Sequence, residues 1–177
     1  MDQLRLIPPT KADEGKVMDY RAELLARGGG AGGCRKLLET ADYDRWLDPG
    51  TRRRTPGWVE SSVYLAMRPA DKRLVGMVEC RHHLTEFLLR YGGHVSYSVR
   101  PSEQRKGYAT ELLAQACRVY RGWGVSRILV TCDRGNEASR RTILANGGVM
   151  EDEVADKPRL GRTGVVQRYW IELEGDD

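Results

Sequence analysis

The sequence of 177 residues lacks the features that mark membrane, secreted and disordered proteins. No apolar run approaches the about 20 residues that a membrane-spanning helix needs. The first residues, MDQLRLIPP, lack the basic and then apolar layout of a signal peptide, so a cytoplasmic protein is expected. Hydrophobic residues make up 40% of the chain and charged residues 31%, which is typical of a globular protein and not of a disordered one.

The sequence also has few residues that bind metals. Three histidines are too few for a cysteine–histidine site, and no two cysteines pair as C-x-x-C. We therefore predict no metal site and expect reduced, mostly buried thiols. The four cysteines are Cys34, Cys80, Cys117 and Cys132.

The excess of positive charge is small. The net charge is +4 and the isoelectric point about 8.9. This favours an anionic ligand but is not the basic footprint of a nucleic-acid-binding protein. The densest basic cluster is Arg52–Arg54, for which we predict a solvated loop, with a contact to an acidic partner as the alternative.

The first half of the chain is predicted to hold one strand, two helices and a β-hairpin. Pro8 and Pro9 stop the strand, and Thr10 caps the helix that follows. A connector with five glycines, residues 28–33, separates this helix from a shorter one that a turn at 48–50 closes. The predicted strands are 4–7, 61–68 and 74–81, and the predicted helices are 11–27 and 34–47.

The second half alternates between strands and helices. Apolar residues between Ala109 and Tyr120 recur at spacings of three and four, which predicts an amphipathic helix. The run RILVTC is continuously apolar, as in a strand buried on both faces. Residues 82–93 fit either a short helix or a loop. The predicted strands are 94–99, 127–132, 149–154 and 165–173, and a third long helix starts at Asn136. No repeat or linker appears, so residues 1–177 are predicted to form one mixed α/β domain.

The stretch PSEQRKGYATELL places basic residues and a glycine directly before the amphipathic helix. Helix N-termini carry unpaired N–H groups and partial positive charge, and Gly107 has no side chain to hold an anion away. The stretch is neither a Walker loop nor a dinucleotide fingerprint, since it has no G-K-[ST] and no G-x-G. It is therefore either an anion cradle or an ordinary helix start with solvated charges.

In the context of the element order, two segments resemble the GNAT superfamily of N-acetyltransferases. They are YSVRPSEQRKGYATELL and VTCDRGNEASRRTILANGG. The segment VGMVECRHHLTEFLLRYGGHVSYSVRPSEQRKGYAT is most similar to a bacterial group of predicted acetyltransferases. The resemblance covers nearly the whole chain. It implies a single-domain α/β fold, in which helices flank a mixed central sheet with splayed central strands, and acetyl-CoA as cosubstrate.

The same resemblance implies a binding site for acetyl-CoA. The pyrophosphate is expected at the cradle of Gln104, Arg105, Lys106, Gly107, Tyr108 and Ala109. The pantetheine arm is expected to pair with strand 94–99 like an added strand. The backbone N–H near Val99 is expected to polarise the thioester carbonyl. Asn136 is expected to face the pantetheine, to cap the helix it starts, or to do both.

Acetyl transfer needs a neutral amine, whose ammonium form has a pKa of about 10.4, so a base or a water relay is required. By resemblance His94, at the start of strand 94–99, is the first candidate base. The alternative for His94 is a hydrogen-bonded histidine at a strand start. Glu79 is the second candidate, and His82 and His83 are weaker ones.

The chain departs from the family where a tyrosine usually protonates the leaving thiolate, because that position is Ile143. Ile143 is instead predicted to pack its helix onto the sheet. Tyr97 and Tyr169 are candidate replacements, with core packing as the alternative for each. A thiol pKa of about 8.5 makes a thiolate a tolerable leaving group, so an acid is not strictly required.

The first functional hypothesis is therefore an acetyl-CoA-dependent N-acetyltransferase that acts on a primary amine of a small molecule. The alternatives are a protein or peptide N-acetyltransferase and a non-catalytic domain that binds acyl-CoA. No nucleic-acid or membrane partner is expected. The resemblance is also compatible with a homodimer, since dimers are common in the family.

Overall fold

The computed structural model describes residues 3–28, 32–52, 57–155 and 163–173, which contain two antiparallel sheets flanked by helices. The first sheet has the order β1-β2-β3-β4, with β1 Arg5–Ile7, β2 Ser61–Arg68, β3 Arg73–Arg81 and β4 Val95–Val99. The second has the order β5-β7-β6, with β5 Arg127–Asp133, β6 Val149–Ala155 and β7 Val165–Glu172. The helices are α1 Glu14–Ala26, α2 Tyr43–Leu47, α3 Pro49–Arg52, α4 Tyr108–Gly122 and α5 Glu137–Ala145. The mixed α/β class and the predicted strands are thus confirmed.

The predicted helix 34–47 is wrong. Arg35 and Lys36 have φ angles of 50° and 60°, in the left-handed region that an α-helix cannot include. The segment instead contains one 3₁₀ turn, Leu37–Glu39, before α2 begins. Asp42 starts α2 by accepting a hydrogen bond from the Arg45 N–H at 3.0 Å. The predicted turn at 48–50 is also wrong, because α3 begins at Pro49.

Residues 82–93, which fit a helix or a loop, form a bend followed by a π-helical turn, Leu88–Gly92. Two other predictions lie partly outside the described residues. These are the glycine-rich connector at 29–31 and the basic cluster at 53 and 54.

The two sheets meet at the start of β4. The His94 N–H donates to the Leu129 carbonyl at 2.8 Å, and the Leu129 N–H donates to His94 Nδ1 at 2.8 Å. Along Val95–Val99 no backbone hydrogen bond to β5 is present in the described chain. We call the gap between Val95–Val99 and β5 the β4–β5 opening. It corresponds to the splay of central strands that the family resemblance implied.

Each face of the first sheet carries its own apolar core. Helix α4 covers one face, and α5 packs against α4 and β5 beside it. The buried core on this side includes Leu112, Leu113, Ile128, Val130 and Ile143. Helix α1 and the segment before α2 cover the other face, where it includes Tyr20, Leu37, Trp46, Leu65 and Met77. Burying one such side chain contributes about 1.5–3 kcal/mol. The two cores therefore hold the sheet rigidly on both sides of β4.

Three further observations concern membrane spans, cysteines and metal sites. No helix within the described ranges is long and apolar enough to cross a bilayer. All four cysteines fall within these ranges, and each is buried and unpaired there, as predicted. The described residues contain no cluster of three or more histidine, cysteine or acidic side chains that could hold a metal ion.

Candidate active site

The free edge of β4 faces the β4–β5 opening. The Arg81 N–H donates to the His94 carbonyl at 2.9 Å, and the Arg100 N–H donates to the Val75 carbonyl at 2.7 Å. Because backbone groups alternate in direction along an antiparallel strand, these bonds fix which residues of β4 face away from β3. Those residues are Val95, Tyr97 and Val99. The N–H of Val99 therefore points into the opening, as an oxyanion-binding role requires.

The cradle lies directly beyond this edge. Gly107 has a φ of 82°, which glycine adopts without steric cost, and it is the N-cap residue of α4. The first N–H of the helix that bonds back is that of Glu111, which donates to the Gly107 carbonyl at 3.2 Å. The N–H groups of residues 107–110 have no acceptor in the described chain. Together with the partial positive charge of the helix N-terminus, they form a site for an anion.

The two cationic side chains of the cradle differ in whether they are already paired with a carboxylate. Lys106 Nζ donates to Glu103 Oε2 at 2.9 Å, and Arg68 Nη1 donates to the same oxygen at 2.9 Å. Burial raises the pKa of Glu103, but the hydrogen bonds from these cations outweigh burial and lower it overall. Arg105 is exposed and makes no ion pair with a described residue. Of the two predicted rim charges, Arg105 is thus the one available to a ligand without breaking a contact.

The other predicted cradle residues have structural contacts. The Tyr108 ring is buried and its hydroxyl accepts a hydrogen bond from Arg68 Nη1 at 3.1 Å, so only its N–H faces the cradle. Gln104 Nε2 donates to the Val99 carbonyl at 3.4 Å and links the cradle to the edge of β4. Ala109 is half-buried in the first turn of α4.

Asn136 caps α5 on the far side of the β4–β5 opening. Its Oδ1 accepts the Ser139 N–H at 3.1 Å, which confirms the predicted cap. Its side-chain amide donates to no described residue and is exposed. A contact with pantetheine stays a prediction.

His94 lies at the closed end of the opening. Its Nδ1 accepts the Leu129 N–H, so the tautomer assigned from this bond carries its proton on Nε2. The Tyr120 hydroxyl donates to the His94 carbonyl at 2.8 Å, and burial lowers the pKa of His94 to about 4. The lone pair that would accept a proton from the amine is already used. These contacts favour the alternative for His94, a hydrogen-bonded residue that joins the two sheets.

Glu79 lies on the sheet face opposite α4, beside β4. In the register of β3 and β4 it pairs with Ser96, and its Oε1 accepts a hydrogen bond from Ser61 Oγ at 2.8 Å. The guanidinium groups of Arg35 and Arg81 lie 4.0 and 3.9 Å from its carboxylate oxygens. The Glu79 side chain is 15% exposed. The Glu79 carboxylate is thus mostly buried, lies between two cations and accepts one hydrogen bond, from Ser61.

The polar residues on the same sheet face as this carboxylate were not predicted. Arg35, Ser61, Arg81 and Ser96 all lie on this face, and the Gly33 N–H donates to Ser96 Oγ at 2.7 Å. A Cβ on Gly33 would lie 2.5 Å from the Ser96 carbonyl, so only glycine fits this crossing over β4. The available signal was the pair Ser96 and Ser98, which places hydroxyls on one face of a central strand.

The structure also gives the contacts of the remaining histidines and of the candidate acids. His82 Nε2 bonds Ser62 Oγ at 2.8 Å, and both His82 and His83 are exposed. Ile143, on α5, is fully buried in the core, as predicted. The Tyr169 hydroxyl donates to Gln167 Oε1 at 2.7 Å in the core. The Tyr97 hydroxyl bonds Ser139 Oγ at 2.9 Å.

Comparison with known sequences gives a match to one family. Residues 33–147 match the sequence model described as the acetyltransferase (GNAT) family. A comparison with curated proteins found no match.

Solved structures share the fold at low sequence identity. One is a spermidine N-acetyltransferase chimera from Vibrio cholerae and hSSAT, with 18% identity, 97% of this chain and 96% of that chain covered, and a TM-score of 0.68. The microcin C7 self-immunity acetyltransferase in complex with acetyl-CoA and AMP has 14% identity, coverage of 97% and 93%, and a TM-score of 0.69. The ribosomal-protein-S5-alanine acetyltransferase from Vibrio fischeri has 16% identity, coverage of 98% and 95%, and a TM-score of 0.66.

Proposed function

The chain belongs to the GNAT acetyltransferase family, and from this premise we propose that it transfers an acetyl group from acetyl-CoA to a primary amine of a small molecule. One observation carries the proposal. The unbonded N–H groups of residues 107–110 continue directly into the free edge of β4, so an anion and an extended arm fit side by side. We also propose that residues 1–177 act as one domain.

We assign the cosubstrate to the cradle and the free edge. The pyrophosphate lies against the N–H groups of Gly107, Tyr108 and Ala109, with Arg105 adding a full charge. The pantetheine amides pair with the outward groups of β4, and the Val99 N–H polarises the thioester carbonyl. Acetyl-CoA suits this site because family members use it and a solved structure of the same fold holds it.

We assign the acceptor to the opposite face of the sheet, beside Glu79. Two guanidinium groups near the entering amine disfavour its ammonium form and so lower its pKa. The Glu79 carboxylate accepts the departing proton directly or through a water. His94 is not assigned this role, because its Nδ1 already accepts the Leu129 N–H.

The charges on this face also bear on which amine binds. Arg35, Arg81 and Glu79 together carry one net positive charge, which repels an acceptor with several ammonium groups. We therefore favour a monoamine over a polyamine. A peptide amine is the second candidate, because one structure of this fold is a ribosomal-protein acetyltransferase.

The test is release of CoA thiol from acetyl-CoA with three kinds of acceptor: small monoamines, spermidine and a lysine-containing peptide. We expect release that depends on a monoamine and saturates with it. Release only with the peptide would show that the acceptor is the second candidate, a peptide amine. Binding of acetyl-CoA without release for any acceptor would leave a non-catalytic acyl-CoA-binding domain.

A further inference from the structure

Tyr97 crosses the β4–β5 opening. Its backbone lies on β4, where its N–H and C=O point into the opening, two residues before Val99. Its hydroxyl reaches α5 and bonds Ser139 Oγ at 2.9 Å. A phenol is thus held on the side of the opening that faces α5, beside the edge along which an extended thioester would lie.

The neighbouring tyrosines are otherwise engaged. The Tyr169 hydroxyl donates to Gln167, and the Tyr120 hydroxyl donates to the carbonyls of Arg81 and His94. On α5, one turn beyond Ser139, Ile143 supplies only apolar surface. Unlike Tyr120 and Tyr169, Tyr97 is a phenol whose position fits a thioester in the opening.

From this geometry, and resting on the proposed function, we infer that the Tyr97 hydroxyl donates a hydrogen bond to the leaving sulfur of acetyl-CoA and that Ser139 positions it. The Ser139 N–H is itself committed to Asn136 at the cap of α5, so the side chain of Ser139 is fixed to the first turn of the helix. The Thr142 side chain also bonds the Tyr97 hydroxyl. When Ser139 Oγ and Thr142 donate to the phenol oxygen, the phenol proton is left to point at sulfur.

The protonation state of Tyr97 sets the kind of help it gives. Burial raises the pKa of Tyr97 to about 12, and the hydrogen bond from Ser139 opposes that rise. A phenol with this pKa stays protonated at neutral pH and does not give up its proton to a thiolate whose conjugate acid has a pKa of about 8.5. Tyr97 is thus a hydrogen-bond donor and not the source of the thiol proton.

The chemistry balances on this basis. The amine nitrogen forms a bond to the thioester carbon, the carbon–sulfur bond breaks, and its electron pair moves to sulfur. The hydrogen bond from Tyr97 stabilises that charge as it develops. The proton lost by the amine nitrogen passes through Glu79 or water and ends on sulfur, which gives an amide and a free thiol.

The test compares Tyr97→Phe with Tyr64→Phe. Tyr64 is the matched control because it is also half-buried against the same core, on β2 and away from the opening. A hydrogen bond to a charged group is lost in Tyr97→Phe, so kcat should fall by about 10- to 150-fold. The KM for acetyl-CoA, the Kd for CoA and the melting temperature should stay near those of the wild type. Tyr64→Phe should retain the wild-type kcat, and Ser139→Ala should lower kcat by less than Tyr97→Phe.

Three outcomes would overturn the inference. If Tyr97→Phe keeps the wild-type kcat, the phenol does not assist departure of the thiolate, and the proposed function stands without it. If Tyr97→Phe loses CoA binding or stability in proportion to kcat, Tyr97 has a packing role only. If the wild-type protein releases no thiol with any acceptor of the panel, the proposed function and the role of Tyr97 both fail.

Discussion

The two ends of β4 are built differently. At its start, His94 joins the sheets through two hydrogen bonds with Leu129, and its carbonyl accepts from both Arg81 and Tyr120. At its other end, the Val99 N–H faces an opening, and the N–H groups that follow in α4 have no acceptor in the described chain. One strand is thus closed at one end and open at the other.

The closed end of β4 therefore stabilises the fold, whereas the open end leaves polar groups for a ligand. Each hydrogen bond at the closed end contributes about 0.5–1.5 kcal/mol, and an unpaired buried partner there would cost more. Polar groups without partners are tolerated only where water or a ligand reaches them. The open end is where a ligand gains most, because its hydrogen bonds replace none within the protein.

The largest expected effect comes from filling the open end. In Gly107→Leu, a side chain would occupy the cradle, so acetyl-CoA should no longer raise the melting temperature. For the wild type, acetyl-CoA at 100 times its Kd should stabilise the protein by about 2.7 kcal/mol, or about 5–10 °C. Thermal unfolding with and without acetyl-CoA measures this shift.

The matched control for Gly107 lies at the other end of the same helix. Gly124 also has a positive φ, 74°, and a Cβ there would meet nothing within 4 Å. Gly124→Leu should therefore carry similar backbone strain and keep the full shift. A full shift in Gly107→Leu would remove the cradle from the proposed site.

The next largest effect is expected on the acceptor face. Glu79→Gln removes the proposed base, so kcat/KM should fall by about 10²–10⁴-fold while acetyl-CoA binding persists. Glu60→Gln is the control, because Glu60 lies nearby and its side chain is 62% exposed. Steady-state rates of thiol release separate the two variants. Equal rates for both would show that Glu79 is not the base.

The third effect is one of stability. Ile143 is fully buried where α5 packs against the sheets, so Ile143→Ala should lower the free energy of unfolding by about 2–5 kcal/mol in urea titrations. Its neighbour Leu144 is 42% exposed, and Leu144→Ala should change it by only about 0.5 kcal/mol. An Ile143→Ala protein of normal stability with reduced turnover would place Ile143 in the active site instead.

The smallest effect on turnover is expected at the closed end. In His94→Gln, kcat should stay close to the wild-type value, because we propose that His94 joins the sheets and that Glu79 accepts the amine proton. A fall in kcat/KM by about 10²-fold or more, with loss of the rising limb of the pH profile, would return the base to His94.

The dependence of folding stability on pH gives a second test of the structural role of His94. Its folded pKa of about 4 lies below the unfolded value of about 6.5, so between these values the unfolded chain binds more protons. The wild type should therefore keep the contribution of His94 above about pH 6.5 and lose it as the pH falls toward 4. His94→Gln should show a shallower acid loss, whereas the exposed His83→Gln should match the wild type.

Parts of the fold and site were predictable because their signals are local. The apolar spacing within α4, the alternation along β2 and β3, and the caps at Asn136 and Gly107 depend on residues a few positions apart. The prediction of the second helix failed because Arg35 and Lys36 adopt left-handed angles, and Arg35 bonds Ser61 on a distant strand of the sheet.

The sequence by itself determined the order of the elements, the glycine-capped helix start that we propose binds an anion and, through its resemblance, the family. Only the tertiary structure decided which residues face each other across the sheets. His94 differs from a free base because of Leu129, 35 residues away, and Tyr97 reaches the opening because α5 places Ser139 opposite it, 42 residues away. Patterns within one element specify its local conformation and buried face. The protonation state and partners of a side chain depend on whatever distant segment the fold packs against it.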